Sequence, residues 1–538
     1  MSNRKTLFYT MIFCASAAVV AVALLLGQGH LNKGEESSAV ATKYGDFLAA
    51  QHAVYVNDFS SALSFTENLT DKEYATVKNT KLLAEFLSGH LPEEIDNLKS
   101  EKDLPSRMIY DAYLAKNERW DDLYNRQVKE PSMLFASGRI WSGVAKNRIT
   151  ETLKFVDKIN AAESWKSFIR GQIYATIGQN EKASAEFARV STDFMNINDY
   201  MYIMSFYLSH DMADAAEILR QDFTSTPGGM FMLNYNEIPD WSVFSGYKNA
   251  LAFSLIQNVS HSQIIIYTDL SVLMLRYAQI VGNDAPIFQN SINYFTGQFV
   301  FNTTGDYTRY FDKITRNSPY YLFGQMRIAE ENNSITDLRN ILSHNELFIP
   351  VLNKLVNIYT QNGDKKNALY VIKRALRNKN LGDIGRAYLF KKSAFVNFVF
   401  GDIDRAQSQL HDAADILDVD TEIIALQSQI WAAQNREIED AYQYAMAMIK
   451  KNPADVIAWD VLGQVVLVRE GYDAAMEIYE RVGASANTCS SLFEHFGDLL
   501  VQGGKNDQAI RAYKRAIELS SDGRVIVPLL EKKLGRIK

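Results

Sequence analysis

Histidine, the side chain best suited to bind a metal or exchange a proton near neutral pH, is sparse and scattered in this chain. Eight histidines occur among 538 residues, and no two stand three or four positions apart. That spacing would place two imidazoles on one helix face for a shared metal ion. They are His30, His52, His90, His210, His261, His344, His411 and His495. The sequence therefore predicts no metal site.

Three short stretches begin like functional motifs but lack an essential residue. Residues 502–505 (QGGK) lack the upstream glycine and the Ser/Thr of a phosphate-binding loop. Residues 243–246 (VFSG) lack the first glycine of a nucleophile elbow. Asp418, Asp420 and Glu422 alternate as in a calcium loop, but isoleucine occupies the sixth position, where glycine is needed. We predict no catalytic residue and no cofactor.

The overall charge also limits the kind of partner. The chain has 63 acidic and 56 basic residues, a formal net charge of −7. A protein that binds duplex nucleic acid needs an excess of bases to displace phosphate counterions, so we expect no nucleic-acid partner. The two cysteines, Cys14 and Cys489, are far apart and cannot form a disulfide framework.

The composition is that of a folded helical protein. Hydrophobic residues make up 47% of the chain and aromatic residues 12%, whereas there are only 10 prolines. This excludes a largely disordered chain. The length is too great for a single core, which indicates several domains or a repeat array. Apolar residues recur with the helical period, and the alternation typical of strands is scarce.

An internal repeat with a period of 34 residues is clearest near the C-terminus. A large residue and a glycine on a first helix are followed by an alanine and an aromatic residue on a second. Small residues let paired helices approach closely, and large ones fill the groove between neighbours. The members of the last two units are Trp459, Leu462, Gly463, Ala475 and Tyr479, then Phe493, Phe496, Gly497, Ala509 and Tyr513.

This pattern resembles the tetratricopeptide repeat and covers about residues 349–521 in five units. The expected turn glycines, Gly363, Gly401 and Gly504, each precede an alanine by five residues. The resemblance implies an all-α fold, a right-handed superhelical solenoid of antiparallel helix pairs, and a non-catalytic scaffold that binds protein partners. The overall layout also resembles the long membrane-attached tetratricopeptide proteins common in alphaproteobacteria.

Weaker traces of the repeat extend toward the N-terminus. Gly171, Ala183 and Phe187 fit one unit, and Asp211 with Ala215 fits another. We therefore predict degenerate repeats over 44–227, divergent aromatic-rich repeats over 228–345, and a C-terminal array over 346–538. The aromatic residues of the middle part have two interpretations: a core whose repeat has drifted, or a pocket or groove for a peptide or glycan. They are Tyr294, Phe295, Phe299, Phe301, Tyr307, Tyr310, Phe311, Tyr320, Tyr321 and Phe323.

The N-terminus contains an uncharged run of 20 residues, 7–26, long enough to cross a bilayer as a helix. Arg4 and Lys5 precede it, and Lys33 follows it closely. The flank with more basic residues stays cytoplasmic, and this is the one before the run, because Glu35 and Glu36 offset Lys33. We therefore predict a cytoplasmic tail (1–6), a signal anchor (7–26) and a flexible linker (27–43). The remainder should be periplasmic and attached to a bacterial inner membrane. A cleaved signal peptide is the alternative.

Candidate partner-binding residues follow from the expected inner wall of the solenoid, which consists mainly of first helices. In the last two units, that wall should carry Asp460, Gln464, Glu494 and Asp498. Some repeats of this type hold a peptide C-terminus with a carboxylate clamp, a set of Lys, Asn and Arg side chains, whereas these four positions are mostly acidic. Asn353 and Asn357 match two of its places, and either Lys391 or Lys392 matches a third. The following units break this pattern, so the sequence does not support a receptor for chaperone tails.

A basic segment precedes these units. Residues 365–392 contain nine bases and one acid. This segment has two interpretations: a solvated outer face of second helices, or a patch for an acidic partner, anionic lipid or anionic glycan. Lys373, Arg374 and Arg377 lie on adjoining parts of one helix face.

We therefore expect a membrane-anchored periplasmic scaffold for protein partners in cell-envelope assembly or secretion. The alternatives are a peptide- or glycan-binding solenoid that acts through the aromatic middle, and a cytoplasm-facing adaptor if the topology is inverted. The sequence identifies neither the partner nor the oligomeric state.

Overall fold

The computed structural model describes residues 45–54, 58–66, 75–92, 95–101, 103–126, 136–235, 237–261, 268–302, 306–417, 420–483 and 488–537. Within these ranges the chain forms helices joined by turns and short connections, and no β-strand is present. The predicted all-α fold is confirmed for this part of the chain.

The helices of the first part of the chain, in order, are α1 (Phe59–Thr66), α2 (Ala75–Leu87), α3 (Leu104–Lys116), α4 (Trp120–Arg126), α5 (Ala136–Ala145), α6 (Ile149–Lys158), α7 (Glu163–Thr176), α8 (Asn180–Phe187), α9 (Ile197–Ser209), α10 (Ala213–Ser225), α11 (Tyr247–His261), α12 (Thr268–Val281) and α13 (Pro286–Asn302). The later helices are α14 (Thr308–Phe311), α15 (Pro319–Glu331), α16 (Ile335–His344), α17 (Ile349–Gln361), α18 (Lys365–Leu376), α19 (Asp383–Val399), α20 (Ile403–Ala414), α21 (Thr421–Gln434), α22 (Ile438–Lys451), α23 (Val456–Arg469), α24 (Tyr472–Gly483), α25 (Ser490–Gln502), α26 (Asn506–Glu518) and α27 (Val527–Arg536). Short 3₁₀ turns span Ile95–Ser100, Met230–Asn234, Trp241–Val243 and Ser520–Asp522.

The chain divides into two compact units. The first comprises the described residues within 1–113, 267–280 and 298–307. In this unit, Ala62 of α1 and Ala84 of α2 are fully buried, which allows the two helices to approach closely. The guanidinium of Arg276 lies 5.7 Å from the ring centroid of Phe59.

The predicted tail (1–6), signal anchor (7–26) and linker (27–43) lie outside the described residues and stay predictions. Across the ranges that the structure describes, no helix combines the length and the apolar character needed to cross a membrane.

The second unit comprises the described residues within 114–266, 281–297 and 308–538. It contains successive helical hairpins whose turns share one backbone feature. A residue in the left-handed conformation occupies the turn, such as Gly178, Gly363 or Gly504, with φ between 71° and 77°. Asparagine or aspartate takes this place in several other hairpins, at Asn147, Asp211, Asn333 and Asn435. These residue types tolerate positive φ better than most, so the hairpin survives without glycine.

The position five residues after this turn is buried in most hairpins. Ala183, Ala368, Ala406 and Ala509 are each fully buried there, as the glycine spacing predicted. After Asp211, however, the buried residue is Ala216 and not Ala215, so the predicted register of that unit was wrong by one position.

Close packing of a glycine against an aromatic ring recurs within the hairpins. A Cβ atom added to Gly463 would lie 2.5 Å from the ring of Tyr479, and one added to Gly497 would lie 2.5 Å from the ring of Tyr513. Gly171 has the same relation to Phe187, at 2.4 Å. The first helix can therefore approach the second only because these positions lack a side chain.

Many aromatic residues of the middle part pack into the core of the second unit. Tyr310, Phe311 and Tyr320 are at most 5% exposed, and the ring of Phe311 fills the space beside Gly297 and Gly324. These residues support the core interpretation, in which aromatic side chains replace the usual alanine–tyrosine packing.

Candidate partner-binding groove

The first helices of the last five hairpins, α17, α19, α21, α23 and α25, contribute residues to two neighbouring cavities. The first cavity has a volume of about 240 Å³ and the second about 260 Å³. Phe395 of α19, Gln429 of α21 and Arg524 line both of them. We refer to the two cavities and their shared wall as the groove.

The floor of the first cavity combines apolar side chains with a half-buried ion-pair cluster. Val356, Phe395 and Leu426 supply the apolar surface. The ammonium of Lys391 lies 2.6 Å from the carboxylate of Asp420 and 2.8 Å from that of Glu422. Burial acts to lower the pKa of Lys391, but the two carboxylates outweigh it and raise that pKa. Lys391 therefore joins α19 to the start of α21.

Lys392, the next residue, faces the same cavity, but there the attraction of Glu422 and Asp420 does not outweigh burial and the repulsion from Lys391 and Arg524. Its ammonium lies 5.5 Å from the ring centroid of Tyr388 and, within the described part of the chain, has no salt-bridge partner. Burial lowers the pKa of Lys392 below its usual value. The first cavity thus contains one paired and one unpaired lysine.

The two asparagines predicted to bind a partner already have partners within the protein. Asn353 donates a hydrogen bond to the hydroxyl of Tyr388 at 2.9 Å. Asn357 donates to the carbonyl oxygen of Ser521 at 3.3 Å. The structure brings both asparagines together with Lys391 and Lys392 in the lining of the first cavity.

The second cavity has an acidic wall from α25. Glu494 and Asp498 both line it, and the ammonium of Lys533 lies 2.8 Å from each carboxylate. Asp498 also accepts a 2.6 Å hydrogen bond from the hydroxyl of Tyr513. Burial acts to lower the pKa of Lys533, but the two carboxylates raise it overall.

Asp460 lies in the interior and not on the solvent-facing wall that its position in the repeat predicted. It is 1% exposed, and its carboxylate accepts hydrogen bonds from His495 at 2.8 Å, Ser491 at 2.7 Å and Tyr479 at 3.1 Å. Three donors satisfy the carboxylate, and these hydrogen bonds offset the cost of burying it. Gln464, one turn later, is half-buried and lines neither cavity.

The basic residues Lys373, Arg374 and Arg377 belong to α18 and its C-terminal end, away from the lining of both cavities. Lys373 and Arg377 are exposed, and Arg374 donates a hydrogen bond to the carbonyl oxygen of Ser343 at 3.1 Å. The structure therefore places these three residues on a surface separate from the groove.

Several residues that shape the groove give no signal in the sequence. Phe395 and Gln429 come from first helices but are not part of the repeat signature. Asp522, Arg524 and Ile526 follow the last repeat, where no periodic pattern remains to indicate a contact with helices so far back in the sequence.

Two further cavities lie in the middle of the second unit. One, of about 420 Å³, is bounded by Phe223, Tyr294, Phe295, Tyr320 and Phe323. The other, of about 590 Å³, combines two tyrosine rings with amide side chains. Its lining includes Tyr235, Tyr321, Asn234, Gln325, Asn340 and Asn345. Among the described residues, no group of three or more His, Cys, Asp or Glu side chains is arranged to hold a metal ion.

Comparison with known proteins identifies one repeat directly. Residues 491–522, which include α25 and α26, match the tetratricopeptide repeat family model. No curated protein sequence matches this chain.

Several solved structures align over most of the chain at low identity. The crystal structure of the APC/C hetero-tetramer Cut9–Hcn1 is 13% identical with a TM-score of 0.34, covering 92% of this chain and 96% of its own. Yeast Tom70 is 12% identical with a TM-score of 0.31, covering 82% and 95%. The human IFIT1 dimer with PPP-AAAA is 13% identical with a TM-score of 0.33, covering 85% and 90%.

Proposed function

From the tetratricopeptide repeat at residues 491–522 and the groove beside it, we propose that this protein is a non-catalytic scaffold that binds protein partners. The observation that carries the proposal is the groove itself. Its two cavities place apolar surface, such as Phe395, next to paired and unpaired charges on consecutive first helices. A peptide segment offers matching chemistry, because its side chains fill apolar cavities while its backbone and polar groups reach the charged rim.

Site-specific photo-crosslinking tests this proposal. A photoreactive amino acid at Ala433, an exposed residue that lines the second cavity, should capture the partner in cells. The matched control is Ala414, which is equally an exposed alanine near a helix end but lines neither cavity. Adducts from Ala433 alone would support the groove. Identical adducts from both positions, or none from Ala433 under conditions where the protein is abundant, would contradict it.

For location, we propose attachment to a bacterial inner membrane through residues 7–26, with the remainder in the periplasm and a role in envelope assembly or secretion. The apolar run and the two basic residues before it, Arg4 and Lys5, support this orientation. A C-terminal alkaline phosphatase fusion should be active, and a fusion to a fluorescent protein that matures only in the cytoplasm should be dark. The reverse pattern would favour the cytoplasm-facing adaptor. Detection of residues 1–26 in the mature protein would separate an anchor from a cleaved signal.

A second candidate function, binding of a glycan or peptide in the middle part, rests on the cavity of about 590 Å³. Tyrosine rings and planar amides such as Asn340 and Gln325 can stack on a sugar and donate to its hydroxyl groups. Screening the protein on a glycan array, with Tyr321→Ala as the comparison, tests this function. Signals lost in Tyr321→Ala would support it, and an absence of signals from the wild-type protein would exclude the glycans on the array.

A further inference from the structure

The connection between α26 and α27 does not stay beside the last hairpin. Residues 519–526, which we call the C-terminal strap, reach back to the first hairpin of the array. The carbonyl oxygen of Ser521 accepts a hydrogen bond from Asn357 of α17 at 3.3 Å, across 164 positions of sequence. Ile526 lies beside Gly363, in the turn between α17 and α18, where an added Cβ atom would be 3.5 Å from it. The strap therefore joins the last hairpin of the array to the first.

The strap is attached near its start by a carboxylate. Asp522 accepts hydrogen bonds from the backbone amide of Ser490 at 2.9 Å and from its hydroxyl at 2.5 Å. Ser490 is the first residue of α25 and is fully buried. Asp522 thus binds the amino end of a groove helix, where backbone amides are available and the helix dipole favours negative charge.

The middle of the strap lies in the groove. The guanidinium of Arg524 lies 5.2 Å from the ring centroid of Phe395 and lines both cavities. Within the part of the chain that the structure describes, Arg524 forms no salt bridge. Cation–π contact and shape, not an ion pair, therefore place its side chain between the two cavities.

Gly523 fits the strap closely against α17. Its φ is +72°, and a Cβ atom there would lie 2.7 Å from the side-chain oxygen of Asn357. Val525 and Ile526, which follow Arg524, are 1% and 7% exposed. From 522 to 526, the strap thus carries a carboxylate, a glycine, a cation and two β-branched apolar side chains. It leaves the 3₁₀ turn Ser520–Asp522 through the left-handed Gly523 and contacts α25, α17 and α19.

The helices on either side of the strap also pack against each other through side chains outside it. Leu530 of α27 is fully buried in the same core cluster as Tyr513 and Ala516 of α26. Val525 of the strap belongs to the same cluster, so release of the strap withdraws Val525 from this core while Leu530 keeps α27 packed on α26.

We propose that the groove is a peptide-binding surface which the C-terminal strap occupies in cis, and that a partner binds by supplying a segment of the same chemistry in its place. This inference rests on the proposed function of the groove. It adds the kind of partner: a short segment with an acidic residue, then glycine, arginine and two β-branched residues. The strap then limits access to the groove until a competing segment replaces it.

A peptide supplied in trans tests this inference without knowledge of the partner. The probe is a fluorescent peptide of residues 519–528 (LSSDGRVIVP), titrated into purified full-length protein and followed by anisotropy. Gly523→Asn should loosen the strap, because asparagine tolerates positive φ but its Cβ would collide with Asn357. Gly504→Asn is the matched control: its φ is +71° and no atom lies within 4 Å of an added Cβ.

We expect the peptide to bind Gly523→Asn at least tenfold more tightly than wild type or Gly504→Asn. The same peptide with glutamate in place of the arginine should not bind any of the three. Hydrogen exchange should increase in Gly523→Asn over residues 519–526 and over the adjoining faces of α17 and α19.

Release of the strap without peptide binding would overturn the inference. If Gly523→Asn leaves exchange unchanged, the variant D522A/R524A provides a second way to release the strap. Unchanged exchange in that variant as well would show that the strap is a fixed part of the core, which also overturns the inference. Crosslinking from Ala433 distinguishes the two proposals, because capture of a partner there would uphold the groove even if the strap proved not to be its ligand.

Discussion

The carboxylate of Asp460 and the imidazole of His495 form a 2.8 Å hydrogen bond that joins α23 to α25 below the surface of the array. Asp460 is 1% exposed, whereas the His495 side chain keeps 30% of its surface in contact with solvent. Ser491 and Tyr479 complete the set of donors to the same carboxylate. One buried acid therefore connects three successive helices of the last two hairpins.

Because of this pair, the free energy of unfolding should decrease as the pH rises above neutrality. Burial acts to lower the pKa of His495, but Asp460, helped by Glu494 and Asp498, raises it from 6.5 to about 9. A folded-state pKa above the unfolded one adds stability that is complete below about pH 6.5 and is lost as the pH rises through 9. The His495 contribution should therefore fall by on the order of 3 kcal/mol over that range, at about 1.36 kcal/mol per pKa unit.

Urea unfolding at several pH values checks this expectation. The difference in unfolding free energy between wild type and His495→Gln should shrink as the pH rises from 6.5 to 9. His261 beside Asp199 has a pKa raised in the same direction, so the single variant should not abolish all pH dependence. His411→Gln is the control, since that side chain is 73% exposed. A constant difference between wild type and His495→Gln would show that the pair is not ionised as described.

The glycine–tyrosine contacts of the last two hairpins predict opposite effects of one substitution at different sites. Gly463→Ala or Gly497→Ala should lower the unfolding free energy by about 1–3 kcal/mol, because the new methyl group would collide with the ring of Tyr479 or Tyr513. Gly535→Ala in α27, where an added Cβ meets nothing, should raise stability by up to about 1 kcal/mol through helix propensity. Thermal unfolding of the three variants measures both effects. Equal effects at all three sites would contradict the packing.

The small residues of the second helices should be equally intolerant of added volume. Ala475 and Ala509 are fully buried, so Ala475→Leu or Ala509→Leu should cost about 1–3 kcal/mol through overpacking. Ala414→Leu, at an exposed position, is the control. Because each hairpin contacts mainly its neighbours, faster hydrogen exchange should be confined to the adjacent hairpins. Unchanged thermal stability of both variants would show that the assigned register is wrong.

Replacement of Lys391 and of Lys392 by methionine should change the unfolding free energy by different amounts. Lys391→Met removes the cation that is paired with both Asp420 and Glu422 and should cost about 1–3 kcal/mol, less than for a fully buried pair because Glu422 is 61% exposed. Lys392→Met removes a cation whose pKa burial already lowers, so it should be neutral or slightly stabilising. Chemical denaturation of both variants gives the comparison. A larger loss in Lys392→Met would reverse the assignment of the paired lysine.

The basic surface of α18 can be tested separately from the groove. Replacement of Lys373, Arg374 and Arg377 by glutamine should change stability by no more than about 0.5 kcal/mol each, since two are exposed and the third donates one hydrogen bond to Ser343. We expect this triple variant to fold normally and to lose salt-sensitive binding to an acidic partner or to anionic vesicles. Co-purification and vesicle sedimentation at two salt concentrations measure this. Unchanged recovery in both assays would identify the segment as ordinary solvated surface.

Much of the local architecture was predictable from the residues alone. The all-α fold of the described part, the turn glycines and the close approach of two helices at Gly463 all follow from spacings within one hairpin. That the ring of Tyr479 lies against Gly463 is known only from the structure. Such contacts recur because the two helices of each repeat pack against each other in the same way. The hairpins whose turns use Asn147 or Asn333 were missed, since asparagine in a turn lacks the clear signal of glycine.

Charged residues were harder to place because the sequence does not show which of them are satisfied internally. Asp460 was expected at the surface, where carboxylates usually lie, but donors from two other helices make its burial possible. Lys391 was a candidate for partner binding, yet the start of α21 supplies two carboxylates to it. The burial of Asp460 and the pairing of Lys391 both depend on which side chains of neighbouring helices lie next to them.

The sequence by itself determined the helical period, the hairpin as the building unit and the residues that let two helices touch. Only the tertiary structure decided that Ser521 returns to Asn357 and that Arg524 lies between the two cavities. The physical reason is the range of the interactions. A glycine and a ring in one hairpin meet through local geometry, whereas residues 164 positions apart meet only through the summed rotation of every hairpin between them.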